Sequence, residues 1–387
     1  MKYDFDTPIN RRDTNSYKWD AAKDADILPM WVADMDFKAA PCILHALQKR
    51  VEHGVFGYTK VPDEYFQATI DWFSSRHALQ MRRERMLYTS GVVPAVSAVI
   101  KAIAEPGSKI VVQTPAYNCF FSSIRNNGCQ VLENPLVYED STYRMDFEDL
   151  QRKVSQPGVA AFLLCNPHNP AGRVWSREEL VRAGEICSRY GVRVISDEIH
   201  CELVYAPHRY TPFASLDPEL SQSAITCISP SKAFNIAGLQ NANIFTPDKD
   251  ALERIDRAIN INEVCDVNPF GVEALMAAYR HGQEWLEELK AYLYENYRVL
   301  VDFFAKELPH LGVTKLEGTY LVWIDCRSVP LPSAELEKRL YDIGRVWVNA
   351  GTIYGLQGEG FLRINIACPR QRLLEGLARL KKGFDSL

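Results

Sequence analysis

No stretch of the chain approaches the ~20 consecutive apolar residues that a membrane-crossing helix needs, so nothing reads as a membrane span. Charge of one sign is also lacking: 44 Lys and Arg stand against 49 Asp and Glu, interspersed, for a formal net charge of −5. That balance leaves no basic footprint for nucleic acid and no single-sign tail for a charged partner. The 10 cysteines include no CxxC pair and the 8 histidines show no ligand spacing, which argues against a metal site. Most cysteines lie inside apolar runs such as Ala161-Phe162-Leu163-Leu164-Cys165, as reduced thiols of a cytosolic protein do. The opening residues Met1 to Asp6 are polar with no apolar signal region behind them, and the expected compartment is the cytoplasm. Internal repeats and low-complexity linkers are absent as well.

What is there suits two packed domains. The 387 residues, 47% apolar and 24% charged, can bury enough surface to hold a deep pocket. Short apolar runs alternate with helical stretches, the pattern of a largely parallel sheet covered by helices. The predicted strands are Leu87–Ser90, Lys109–Gln113, Gln130–Glu133, Ala160–Cys165, Arg193–Asp197, Ala224–Ser229 and Asn241–Thr246. Helices are predicted over Pro94–Ala104 and Ser176–Tyr190, the second opened by a capping box of Ser176 and Glu179. From about Gly271 to Leu308 one long helical stretch follows, then strands at Tyr320–Asp325 and Phe361–Ala367 with a helix near Ser333–Ile343 between them. The expected division is a large domain over 45–285 and a smaller α/β domain built from 1–44 and 286–387.

Three segments at strand ends carry candidate chemistry. Ser229-Pro230-Ser231-Lys232-Ala233-Phe234-Asn235 places a lysine and two hydroxyls where α/β sheets bind ligands. Taken alone, Lys232 reads equally well as a solvated surface lysine. Cys165-Asn166-Pro167-His168-Asn169-Pro170-Ala171-Gly172 is a rigid loop that either presents Asn169 as a donor or is simply a turn. Asp197-Glu198-Ile199-His200 ends a buried strand, so Asp197 needs a cationic partner or serves as a cap.

Together these segments resemble the fold type I pyridoxal 5′-phosphate (PLP) enzymes, the aspartate aminotransferase superfamily. The resemblance extends to Thr89-Ser90-Gly91-Val92, Thr114-Pro115-Ala116-Tyr117 and Phe361-Leu362-Arg363-Ile364-Asn365. Within that superfamily the chain looks most like the MalY/PatB group of cystathionine β-lyases, or carbon–sulfur lyases. The segments that carry this are 10–16, Met30-Trp31-Val32-Ala33-Asp34-Met35-Asp36-Phe37, Gly57-Tyr58-Thr59 and Asp-Glu-Ile-His.

The resemblance implies an α/β fold with a mostly parallel seven-stranded sheet, PLP as cofactor, and a role for each matching residue. Lys232 would carry the cofactor as a Schiff base and move the Cα proton. Asp197 would pair with the pyridine nitrogen, Asn169 with the ring oxygen, and Tyr117 would stack on the ring. The phosphate would sit on the backbone of Gly91 and Val92 at a helix N-terminus, with the Ser229 and Ser231 hydroxyls added. Tyr58 would reach the phosphate of a neighbouring subunit, implying a homodimer with shared sites. Arg363 would grip the substrate α-carboxylate, with a structural salt bridge as the other reading. Trp31 and Val32 belong to a segment expected to cap an apolar substrate pocket. His200 stands open between a cofactor contact and a satisfied histidine at a strand end. One position departs from the family pattern: Gln240 stands where a phosphate-binding Arg or Lys is frequent.

The implied reaction is β-elimination of cystathionine or a related cysteine S-conjugate to pyruvate, ammonia and a thiol. The alternatives are an aminotransferase and a PLP-binding regulator with little turnover. A small sulfur-containing amino acid is the expected partner, with no nucleic acid, membrane or metal.

Overall fold

The computed structural model describes residues 1–261, 263 and 267–386. Its centre is a seven-stranded sheet in the spatial order Met86–Thr89, Ala242–Phe245, Ile225–Ile228, Arg193–Asp197, Val159–Cys165, Lys109–Thr114 and Gln130–Pro135. Ala242–Phe245 runs antiparallel to both its neighbours, and every other pairing is parallel. All seven strands fall within two residues of the bounds expected from the sequence.

The apolar run 161–165 shows why. Side chains alternate across a strand, so Ala161, Leu163 and Cys165 enter one core with the helix Val92–Ile103. Phe162 and Leu164 enter the core on the other face, with the helix Arg177–Arg189. A strand covered on both faces must be apolar at every position, and this one is. The helix Arg177–Arg189 starts as expected, with Ser176 and Glu179 closing a reciprocal capping box.

One helical expectation is corrected, and a second is met with a change of geometry at its end. The stretch 271–308 is two helices, Pro269–His281 and Gln283–Glu307. Gly282 separates them, packed so closely that a Cβ there would lie 2.5 Å from the Ala278 carbonyl oxygen and 2.5 Å from the Phe234 ring. The helix at Ser333 keeps α geometry only to Arg339 and continues over Leu340–Gly344 as a wider π turn.

The C-terminal part carries a four-stranded antiparallel sheet in the order Gly312–Val313, Leu321–Asp325, Phe361–Asn365 and Asn349–Ala350. The N-terminal residues lie against it. Leu28–Pro29 pairs in parallel with Val346–Trp347, and the Phe5 ring sits 5.6 Å from Trp285 and 5.5 Å from Tyr292. The described cysteines are all free. No described helix is long and apolar enough to cross a membrane.

Candidate active site

The parallel strands end together, and the register sets their tips side by side. Cys165 pairs with Asp197, and Asp197 with Cys227, so the segments that follow each strand meet over one edge of the sheet. Asp197 is buried there; its carboxylate accepts the Ile199 N–H at 3.1 Å. Among the described residues no cation forms an ion pair with it. Burial pushes its carboxyl up to about 7, with the Ile199 N–H and then the Lys232 charge opposing.

Lys232 donates from Nζ to the Ala33 carbonyl at 2.7 Å. Burial first, and then the Arg363 charge, push its amine down to about 8, while Asp34 and Asp197 pull the other way. The lysine is thus neither a surface residue nor neutralised by a close carboxylate.

Arg363 is buried on the strand Phe361–Asn365 and bonds only neutral oxygens. It donates to Asn169 Oδ1 at 3.0 Å and to the Trp31 carbonyl at 2.7 Å. Its Nε has no partner, and its guanidinium lies 4.8 Å from the Tyr354 ring centre. No carboxylate pairs with it among the described residues, so the salt-bridge reading fails. Because Arg363 can only donate, the Asn169 amide must present its oxygen there, leaving its NH2 free to donate elsewhere.

The segment 31–37 is a strap over these groups, and its main-chain carbonyls contact them. The Trp31 carbonyl takes Arg363 and Asn349 Nδ2 at 3.0 Å. The Val32 carbonyl takes Asn365 Nδ2, which also donates to the Asp34 carbonyl at 2.6 Å. The Trp31 indole itself stacks on Trp347, with ring centres 4.3 Å apart and planes 16° apart. Trp31 and Val32 therefore face the site through main-chain oxygens.

At the phosphate corner, the register sets Thr89 opposite Ala242, so the helix start at Gly91-Val92 lies beside Asn241 and the serines. Ser229 Oγ donates to the Asn241 carbonyl at 2.6 Å and lies 2.7 Å from Ser231 Oγ. Both hydroxyl protons thus have acceptors within the chain, and a phosphate here leans on backbone N–H groups as well. Gln240 adopts left-handed backbone at φ 53° and is exposed.

Tyr117 is half-buried at the start of the helix Asn118–Asn126, with its phenol pushed up by burial. His200 is buried with Nδ1 unpartnered, 6.2 Å and edge-on from the Tyr320 ring. Burial and the Lys232 and Arg363 charges hold it well below its usual value, hence neutral. Tyr58 is 97% exposed and touches none of these groups within its own chain.

Sequence reasoning missed Ala33, Tyr320, Asn235 and Asn365. Asn365 had a signal: it lies two residues from Arg363, on the same strand face. Asn235 binds Met35 through both N–H and C=O, each at 3.0 Å, fixing the strap to the Lys232 loop. A half-buried amine, a buried carboxylate lacking a cation and a buried guanidinium lacking a carboxylate line one space. That set fits a cofactor with a carbonyl and a protonated ring nitrogen, next to an amino-acid carboxylate.

Known proteins agree. Cystathionine beta-lyase PatB of Bacillus subtilis (strain 168) is 43% identical over 98% of this chain and 100% of its own. Cystalysin of Treponema denticola, whose structure contains a pyridoxal 5′-phosphate cofactor, superposes with a TM-score of 0.95 at 33% identity over 100% of both chains. The PLP-bound C-S lyase of Staphylococcus hominis gives 0.92 at 34%, over 98% of both. With residues 25–380 matching its family pattern, the chain belongs to the aminotransferase class I and II family.

Proposed function

We propose that the protein is a PLP-dependent carbon–sulfur β-lyase that cleaves cystathionine or a related cysteine S-conjugate to pyruvate, ammonia and a thiol. The observation that carries this is the trio of half-buried Lys232 and buried Asp197 and Arg363, each with its charge unmet by a close partner. The lyase names of PatB and the Staphylococcus hominis protein support the direction of the chemistry.

Bound PLP supplies an electron sink for the pair left on the substrate Cα. Lys232 would hold the cofactor, take the Cα proton and deliver it toward the departing sulfur, a role suited to an amine pushed down to about 8. Asp197, ionised by a positive neighbour, keeps a proton on the pyridine nitrogen. The Asn169 NH2 donates to the ring oxygen, and Tyr117 covers the ring face. The backbone N–H groups of Gly91 and Val92 hold the phosphate, with Ser229 and Ser231 beside it and Tyr58 arriving from a partner chain of a homodimer. Arg363 fixes the α-carboxylate, with Trp31 and Val32 beside it through their carbonyls. His200 stays neutral beneath Tyr320 and adds no charge at the ring oxygen. Residues 45–285 form the cofactor-binding domain and 1–44 with 286–387 the smaller one, in a cytoplasmic enzyme.

The test is release of pyruvate and thiol from cystathionine by PLP-loaded protein without a keto-acid acceptor. Sustained release of both over many turnovers is expected. A single conversion of cofactor to its amine form, without thiol, would make the enzyme an aminotransferase instead.

A further inference from the structure

Two donors share one acceptor in the strap. Lys232 Nζ lies 2.7 Å from the Ala33 carbonyl oxygen, and the Tyr320 hydroxyl lies 2.9 Å from the same atom. The acceptor cannot follow either donor, because the strap is tied on both sides of it. Asn365 holds the Val32 and Asp34 carbonyls, and Asn235 holds Met35 and the Phe37 carbonyl. The carboxylates next to it are locked too: Arg11 reaches Asp34 at 2.6 Å and Asp36 at 2.8 Å, and buried Lys18 reaches them at 3.5 and 3.1 Å.

We propose that the Ala33 carbonyl is the seat of the free Lys232 amine, and that Tyr320 and Asp34 are positioning residues that tune it. Tyr320 acts by competing for the oxygen, and Asp34 by the negative charge it holds at the next residue of the strap. The inference rests on Lys232 being the amine that holds the cofactor.

A carbonyl oxygen stabilises an ammonium more than a neutral amine, so the seat favours the charged form. The Tyr320 hydroxyl aims its positive end at that oxygen and weakens the preference. The other groups facing Lys232 are Arg363 on its strand, Asp197 at the sheet end, the Cys119 thiol and the neutral His200 ring. Burial and Arg363 favour the neutral amine; Asp34, Asp197 and Cys119 favour the charged one. A free amine then returns to an oxygen whose position is set by the fold rather than by the substrate.

The experiment measures the rate at which cofactor-free protein takes up PLP, by absorbance, across the pH range in which lysine amines of lowered pKa titrate. Tyr320→Phe removes the competitor and should move the midpoint upward by about half a unit or more. Asp34→Asn should move it downward by a similar amount, while Asp34→Glu, which keeps the charge, holds the wild-type value. Unmoved midpoints, or shifts of both variants in one direction, overturn the proposal; if Asp34→Asn does not fold, Tyr320→Phe decides alone. Borohydride reduction and peptide mapping of the same samples keep the two readings apart. Attachment away from Lys232 would sink the cofactor assignment itself, whereas attachment at Lys232 with unmoved midpoints would sink only the seat.

Discussion

Arg363 and Asn169, 194 residues apart in the chain, are joined by a 3.0 Å hydrogen bond from guanidinium to amide oxygen. The group expected to hold the substrate carboxylate and the group expected to touch the cofactor ring are therefore one unit, so loss of either disturbs both.

Replacing Arg363 by Lys keeps the charge and loses the fork. A charge-assisted hydrogen bond contributes about 1.5–3 kcal/mol, so the expected change is a rise of about 10- to 100-fold in KM for the amino-acid substrate. Steady-state kinetics on Arg363→Lys checks this; an unchanged KM would place the carboxylate elsewhere.

Asp197 links cofactor to pH. Its carboxyl stands at about 7 in the folded chain, against ~3.9 when unfolded. Protonation therefore favours the folded state. That stabilisation is complete below about pH 4 and is lost as pH rises through about 7. Glu198, pushed up to about 7 by burial, adds in the same direction. A cationic ring nitrogen beside Asp197 cancels its share. The Tm of loaded protein should thus exceed that of cofactor-free protein by a margin that grows between about pH 5 and about pH 8, by about 2 °C or more. Thermal scans of both forms measure the margin, and one that stays constant contradicts the pairing.

Tyr58, solvent-exposed in its own chain, is expected to complete a partner's site. Lys232→Ala and Tyr58→Phe chains, each impaired alone, should regain activity when co-assembled. The ceiling is about one quarter of wild type, since half the random dimers are hybrids with one intact site in two. No gain above the separate parents would mean that Tyr58 serves its own chain or none.

Gly282→Ala should destabilise the fold while leaving the chemistry intact. Its Cβ has no room between the Ala278 carbonyl and the Phe234 ring. Overpacking of this kind costs about 1–3 kcal/mol, read as a lower denaturation midpoint with kcat unchanged at low temperature.

The central sheet was legible because a strand buried on both faces must be apolar throughout, as 161–165 is, and because Asp197 ends such a run with a charge. The capping box of Ser176 and Glu179 was legible for a local reason: both partners lie within four residues. The break at Gly282 was not, since helical periodicity continues on either side and the obstacle is Phe234, far back in the chain. The roles of Lys232, Asp197, Asn169 and Arg363 came from the family resemblance. Spacing alone left Lys232 open to a surface reading, which its partial burial and its bond to Ala33 remove. Nor could side-chain reasoning anticipate that Ser229 and Ser231 would spend their protons on the Asn241 carbonyl.

The strap holds Arg363, Asn365, Lys232 and Tyr320 through the carbonyls of Trp31, Val32 and Ala33. Every amino acid offers that oxygen, so these contacts to Arg363, Asn365, Lys232 and Tyr320 do not depend on which side chains the three positions carry. The segment's length is what is constrained: removing one residue would shift each carbonyl past its donor. Val32→Ala should leave activity nearly unchanged, whereas a single deletion in 31–33 would disable the enzyme.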